Sequence, residues 1–166
     1  MKVILFLLWI PFSISAQTVH VENNKIIYKE KVHVEGATAE QLAELAKQAI
    51  SHLDKNNDPK IVQEKGKTRV WSAGEMKLTS SDHVSKKVTY IIEINVEKEN
   101  YQYRIDSVYI VQKEPGHHST KMSSEDLLSK MNSSGPVAAS TERQLNEIDM
   151  DFQKLIDRIK NYMAKS

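Results

Sequence analysis

Cysteine is absent from this 166-residue chain, and its absence closes several routes at once. There can be no disulfide, no thiolate zinc site and no cysteine nucleophile. Lipid attachment to a new N-terminal cysteine after export is excluded as well. An excess of one charge sign is also missing, because 23 Lys and Arg stand against 22 Asp and Glu, a formal +1. The two signs alternate along the chain, so neither nucleic acid nor an anionic membrane surface is implied as partner. The nucleophile and phosphate motifs are missing too: there is no G-x-S-x-G, glycine-rich phosphate loop or H-E-x-x-H. No catalytic residue, metal or cofactor is therefore expected.

The one long apolar run lies at the start, and it is about ten residues, half of the roughly 20 that a membrane-spanning helix needs. In MKVILFLLWIPFSISAQ, Lys2 supplies a positive n-region and residues 3–12 an apolar h-region. The small residues Ser13, Ser15 and Ala16 come next, with a cut expected after Ala16. This is the pattern of a secretory signal peptide, 1–16, and it predicts a periplasmic or secreted protein with no membrane span. A polar lead-in at 17–24 then opens into one domain at 25–165. Roughly 150 residues are enough to bury a core without crosslinks.

Residues 25–35 alternate, with Tyr28, Val32 and Val34 on one face and Lys29, Lys31 and His33 on the other, as in a half-buried strand. Glu30 falls on the apolar face, so a bulge or a rim position is expected there. Thr38 and Gln41 form a capping box, and Leu42, Leu45, Ala46, Ala49, Ile50 and Leu53 make the apolar stripe of a helix. Four strands are read at 61–64, 68–78, 87–97 and 101–112, with Gly66 at the first hairpin. Placing Glu99 and Asn100 at the last turn pairs Val96 with Tyr103, Ile94 with Ile105, Tyr90 with Tyr109 and Val88 with Val111, all on one face. Residues 113–140 read as irregular with a short helix at 124–131, capped by Ser123 or Ser124. Thr141 and Gln144 form a second capping box for a C-terminal helix at 141–164, striped by Leu145, Ile148, Phe152, Leu155, Ile156, Ile159 and Tyr162.

The order β-α-β-β-β-β-α predicts an α+β two-layer sandwich. Its five-stranded antiparallel sheet has the first strand beside the fifth, and the first helix and long C-terminal helix lie on one face.

Several segments carry a family likeness: the start Lys25-Ile26-Ile27-Tyr28, the run Val32-x-Val34-x-Gly36, and Thr38 with Leu42 and Ala46 after it. Tyr101-x-Tyr103-Arg104, Glu125-Asp126-Leu127-Leu128, and the terminus from Leu155-Ile156 to Tyr162-Met163 complete the set. With these the chain resembles a family of short secreted bacterial proteins, a domain of unknown function with a TBP-like fold. The resemblance implies that fold and no activity, and the fold name does not imply DNA binding.

Three sets of residues are candidates for function. On the non-core face of the last hairpin, Glu93 is expected opposite Asp106 with Arg104 bridging them, beside Ile91, Val108 and Ile110. These six residues are the candidate partner-binding face, which Trp71 could join. On the core face, Tyr28, Tyr90, Tyr103 and Tyr109 need partners for their hydroxyls. They reach the rim or line a gap between sheet and C-terminal helix that holds a small amphipathic ligand. His117 and His118, near Glu114, read as solvated loop residues because zinc needs three or four convergent ligands. The expectation is a non-enzymatic binding domain of unknown specificity. The alternatives are a small-ligand carrier and, behind it, a hydrolase using Glu93 and Asp106.

Overall fold

The computed structural model describes residues 20–53, 58–64, 67–78, 85–113 and 118–165. The expected leader at 1–16, Gly66, Glu114 and His117 lie outside these described residues. Strands are β1 (Val21–Glu22), β2 (Lys25–Ile26), β3 (Tyr28–His33), β4 (Lys60–Glu64), β5 (Lys67–Leu78), β6 (Ser85–Glu97), β7 (Asn100–Lys113) and β8 (Thr120–Ser123). Helices are α1 (Ala39–Leu53), α2 (Ser124–Met131) and α3 (Pro136–Met163). The class is α+β, as the patterning predicts. The main sheet is antiparallel and runs β3-β7-β6-β5-β4, with β8 also paired to β7, so it has six strands rather than five.

The first strand does sit antiparallel beside the long strand that ends the meander, pairing Tyr28 with Ile105 through His33 with Asn100. Its span is shorter than expected. The polar lead-in and the start of that strand instead form a two-stranded hairpin, β1–β2. Asn23 and Asn24 turn it with φ of 52° and 58°, the pair of left-handed residues that a two-residue type I′ hairpin requires and that Asn tolerates.

Residues 113–140 are also more ordered than expected. β8 occupies the outer edge of β7 beyond the stretch that β3 covers. Ser123 then caps α2 in a reciprocal box with Asp126. α3 begins at Pro136, not near Thr141. Proline at the first turn forfeits an N–H that has no helical partner anyway. Thr141 sits inside the helix, its hydroxyl bonded to the Val137 carbonyl at 2.9 Å. The first capping box is as expected: Thr38 N donates to Gln41 Oε1 at 2.9 Å, and Gln41 N to Thr38 Oγ1 at 3.2 Å.

One core joins the helices to one face of the sheet. Leu42, Ala46 and Ile50 of α1, Leu127 of α2 and Leu145, Ile148, Phe152 and Ile159 of α3 are buried there. They meet Val70, Val88, Ile92, Ile94, Val96 and Ile105 from the sheet. Tyr90 lies across Gly74 on the neighbouring strand, where any Cβ would collide with its ring. The ring of Phe152 sits 5.0 Å from that of Tyr28 and 5.3 Å, edge-on, from that of Tyr90.

The β6–β7 register differs from the expected one in two ways. The turn is at Lys98 and Glu99, with Glu99 at φ 59°, so Val96 pairs with Tyr101 and Ile94 with Tyr103. The two registers differ by two residues, and a two-residue shift keeps every side chain on its face. Alternation alone cannot choose between them. The segment after β3 fixes the turn: Val34 N donates to Glu99 O at 2.8 Å, and Glu99 N to Ala37 O at 3.0 Å.

The second difference is a bulge. Ile91 pairs with Asp106 but Thr89 pairs with Tyr109, so β7 carries one extra residue between them. Ser107 lies there at φ 53°. One added residue reverses the faces of everything beyond it. Val108 and Ile110 therefore point into the core, 1% and 3% exposed, and Tyr109 and Val111 take the outer face.

Candidate functional site

Among the described residues, all three helices contribute to the one core, and none lies on the other face of the sheet. The candidate face lies there, with two corrections. Val108 and Ile110 do not belong to it, because the Ser107 bulge turns them inward. Glu93 does not face Asp106; it pairs with Arg104, and Asp106 pairs with Ile91. Ile91, Glu93, Arg104 and Asp106 do share the open face, where Ile91 is 37% exposed.

Alternation along the strands brings further residues to this face. Trp71 lies opposite Glu93 from β5, and Lys60 of β4 lies opposite Trp71 with its ammonium 5.0 Å from the ring centroid. The row Lys60, Trp71, Glu93, Arg104, Lys29 thus crosses five strands. The next row carries Arg69 beside Asn95. Beyond the bulge, Tyr109 is covered by Lys121, whose ammonium is 3.8 Å from its centroid. Arg69 was legible as a residue of the strand read at 68–78, whereas Lys60 lies one residue before the strand read at 61–64. Tyr109 required knowledge of the bulge.

The two carboxylates of the candidate set are each tied by their own donors. Glu93 accepts from Asn95 Nδ2 at 2.6 Å and lies 3.5 Å from Arg69 Nη1. Asp106 accepts from Arg104 Nε at 2.6 Å and from the Ser107 hydroxyl at 3.1 Å. Arg104 serves Asp106 directly. At the margins, Lys67 binds Glu97 at 2.7 Å, which holds that carboxyl below its ordinary range with help from Lys31. Lys29 does the same for Glu22 at 2.6 Å.

The core-face tyrosines find partners of a different kind. The Tyr28 hydroxyl donates to Asp149 Oδ1 at 2.8 Å, and Asp149 is 1% exposed. Burial, and after it that carboxylate, raises the Tyr28 phenol well above its usual range. Tyr103 reaches the rim, donating to Glu30 Oε2 at 2.9 Å, and Lys160 Nζ sits 2.6 Å from the same oxygen. Glu30 is thus a rim residue, its carboxyl lowered first by Lys160. Tyr109 is not on the core face at all. The middle of the sheet–helix gap is occupied by Phe152 and its aromatic neighbours. Among the described residues no group of three or more His, Asp or Glu converges as a metal site, and no helix is long and apolar enough to cross a membrane.

No family model matches the chain, and no curated protein does. Two solved structures are similar. One is a TBP-like protein from Parabacteroides distasonis, with TM-score 0.71 and 13% identity over 89% of this chain and 98% of that one. The other is a DUF4468 family protein from Bacteroides ovatus, with TM-score 0.64 and 12% identity over 89% of this chain and 91% of that one. A TBP-like protein and a DUF family protein from bacteria agree with the fold and family type that the sequence resemblance indicated. At these identities they establish a TBP-like α+β fold.

Proposed function

We propose that the chain is an exported, non-enzymatic binding domain that meets a protein partner of the cell envelope through the open face of its sheet. The observation that carries this reading is the division of the sheet: helices cover one face, while the other presents Trp71, Ile91 and Tyr109 among paired charges. Aromatic anchors set in a polar surround are the composition of an interaction surface. The cations there are largely matched by carboxylates, as at Lys67–Glu97, Arg69–Glu93 and Arg104–Asp106. That pattern favours a partner of mixed charge over nucleic acid, which needs a continuous basic surface. Export rests on the expected 1–16 leader, and the lack of cysteine excludes lipid attachment at a new N-terminal cysteine.

Affinity capture from the envelope fraction of the source cells tests the reading, comparing the native domain with the triple variant Glu93→Ala, Arg104→Ala, Asp106→Ala. The expected result is loss of the captured partner with an unchanged melting temperature. Undiminished recovery of the same partner contradicts the sheet-face reading.

A further inference from the structure

At the mouth of the sheet–helix gap a groove of about 340 Å³ is lined by Glu30, Val32, His33 and Val34 on the β3 side, Tyr101 of β7, and Lys160 and Ala164 at the end of α3. Tyr101 is 2% exposed, yet its hydroxyl has no hydrogen-bond partner among the described residues. The core-face tyrosines Tyr28 and Tyr103 are matched to Asp149 and Glu30. A buried hydroxyl left unpaired costs stability, so it calls for a reason. Burial, and after it the Glu30 carboxylate, pushes the Tyr101 phenol up to about 12. It stays a protonated donor at neutral pH, and Tyr101 lines the groove together with Val32, Val34 and Ala164.

We propose that this groove binds a small, uncharged amphipathic molecule whose oxygen accepts a hydrogen bond from Tyr101 and whose apolar body lies on Val32, Val34 and Ala164. The charges around the groove select the neutral head. Lys160 and Glu30 neutralise each other at 2.6 Å, and Glu30 already accepts from Tyr103 on the same oxygen. The C-terminal end of α3 adds a partial negative charge, which disfavours a carboxylate. A free ammonium would have to compete with Lys160 for Glu30. An alcohol or carbonyl oxygen satisfies Tyr101 without disturbing that pair. The site is distinct from the open sheet face, so either can fail without the other.

The test uses benzyl alcohol as probe, with benzoate and benzylamine as charged molecules of similar size. Binding is read by NMR at the methyl groups of Val32, Val34 and Ala164. Benzyl alcohol is expected to give saturable shifts at these methyls and to bind more tightly than either charged analogue. Tyr101→Phe should weaken it by about threefold to tenfold, the range of one neutral hydrogen bond. The same variant should keep or slightly raise the melting temperature, because no partner is orphaned; Tyr103→Phe, which strips a donor from Glu30, should lower it. Ala164→Trp, at an exposed position, should fill the groove and abolish binding in a folded protein. Absence of saturable shifts, equal affinity in Tyr101→Phe, or tighter binding of a charged analogue overturns the proposal.

Discussion

On the covered face, Val70, Ile92, Ile94, Ile105 and Ile110 are all 3% exposed or less, and Tyr28 finds a buried partner there in Asp149. On the open face the same strands carry Arg69, Trp71, Ile91, Glu93 and Arg104, held by ion pairs with half-exposed side chains. The two faces divide the labour of the domain. Burial stabilises through the first, since fully burying an aliphatic side chain contributes about 1.5–3 kcal/mol. Exposed ion pairs contribute about 0–1 kcal/mol each, so the second face can change with little effect on folding. Side chains on the open face are therefore free to serve recognition.

The largest expected difference between the faces lies in two isoleucines that plain alternation would place together. Ile110→Ala should lose about 2–5 kcal/mol in denaturant unfolding, because it leaves a cavity in the core beneath the helices. Ile91→Ala should stay within about 0.5 kcal/mol of the native domain. Equal losses would mean that the bulge does not separate the faces. Next in size is Tyr28→Phe, which leaves Asp149 buried without its donor and should lose about 1–3 kcal/mol. The double variant Tyr28→Phe, Asp149→Leu should recover most of this, since removing both partners leaves no orphan.

Much of the covered face was legible in the sequence. The α1 stripe, the α3 stripe and the residues of β6 alternate at the expected periods, and a single core results from them. Ser107 was not legible. An extra residue in the left-handed region leaves no mark in an alternating string, and Val108-Tyr109-Ile110-Val111 is apolar enough to sit either way round. The same ambiguity moved Val108 and Ile110 off the open face. The Asn23-Asn24 turn did have a signal, because adjacent asparagines suit two left-handed residues. Asp149 and Tyr101 depend on which tyrosine meets which helix position, and periodicity does not encode that.

Two smaller effects sharpen the contrast. Tyr28, Tyr101 and Tyr103 all have phenols raised above their ordinary value of about 10, burial being the first cause. The unfolded chain loses these protons first as pH rises, so their contribution to stability is complete below about pH 10 and lost above it. Thermal unfolding measured between about pH 8 and 12 should show a falling melting temperature above about pH 10, with tyrosinate absorbance appearing together with unfolding. The open face has its own titration at the other end of the scale. Glu22 and Glu97 are lowered by Lys29 and Lys67, so their small contribution fades as pH falls below the ordinary carboxylate range. Smallest of all, Ser107→Gly should raise stability by up to about 1 kcal/mol by easing the left-handed backbone, with both faces unchanged.

The division between a folding face and a binding face is tested most directly by site-specific photo-crosslinking in the cell envelope. A benzophenone side chain is placed at Ile91 on the open face, and in a separate variant at Met150, which is 51% exposed on α3. Both variants should fold. A discrete crosslinked partner from position 91 and none from position 150 is the predicted result. A partner captured from position 150 and not from position 91 would contradict it.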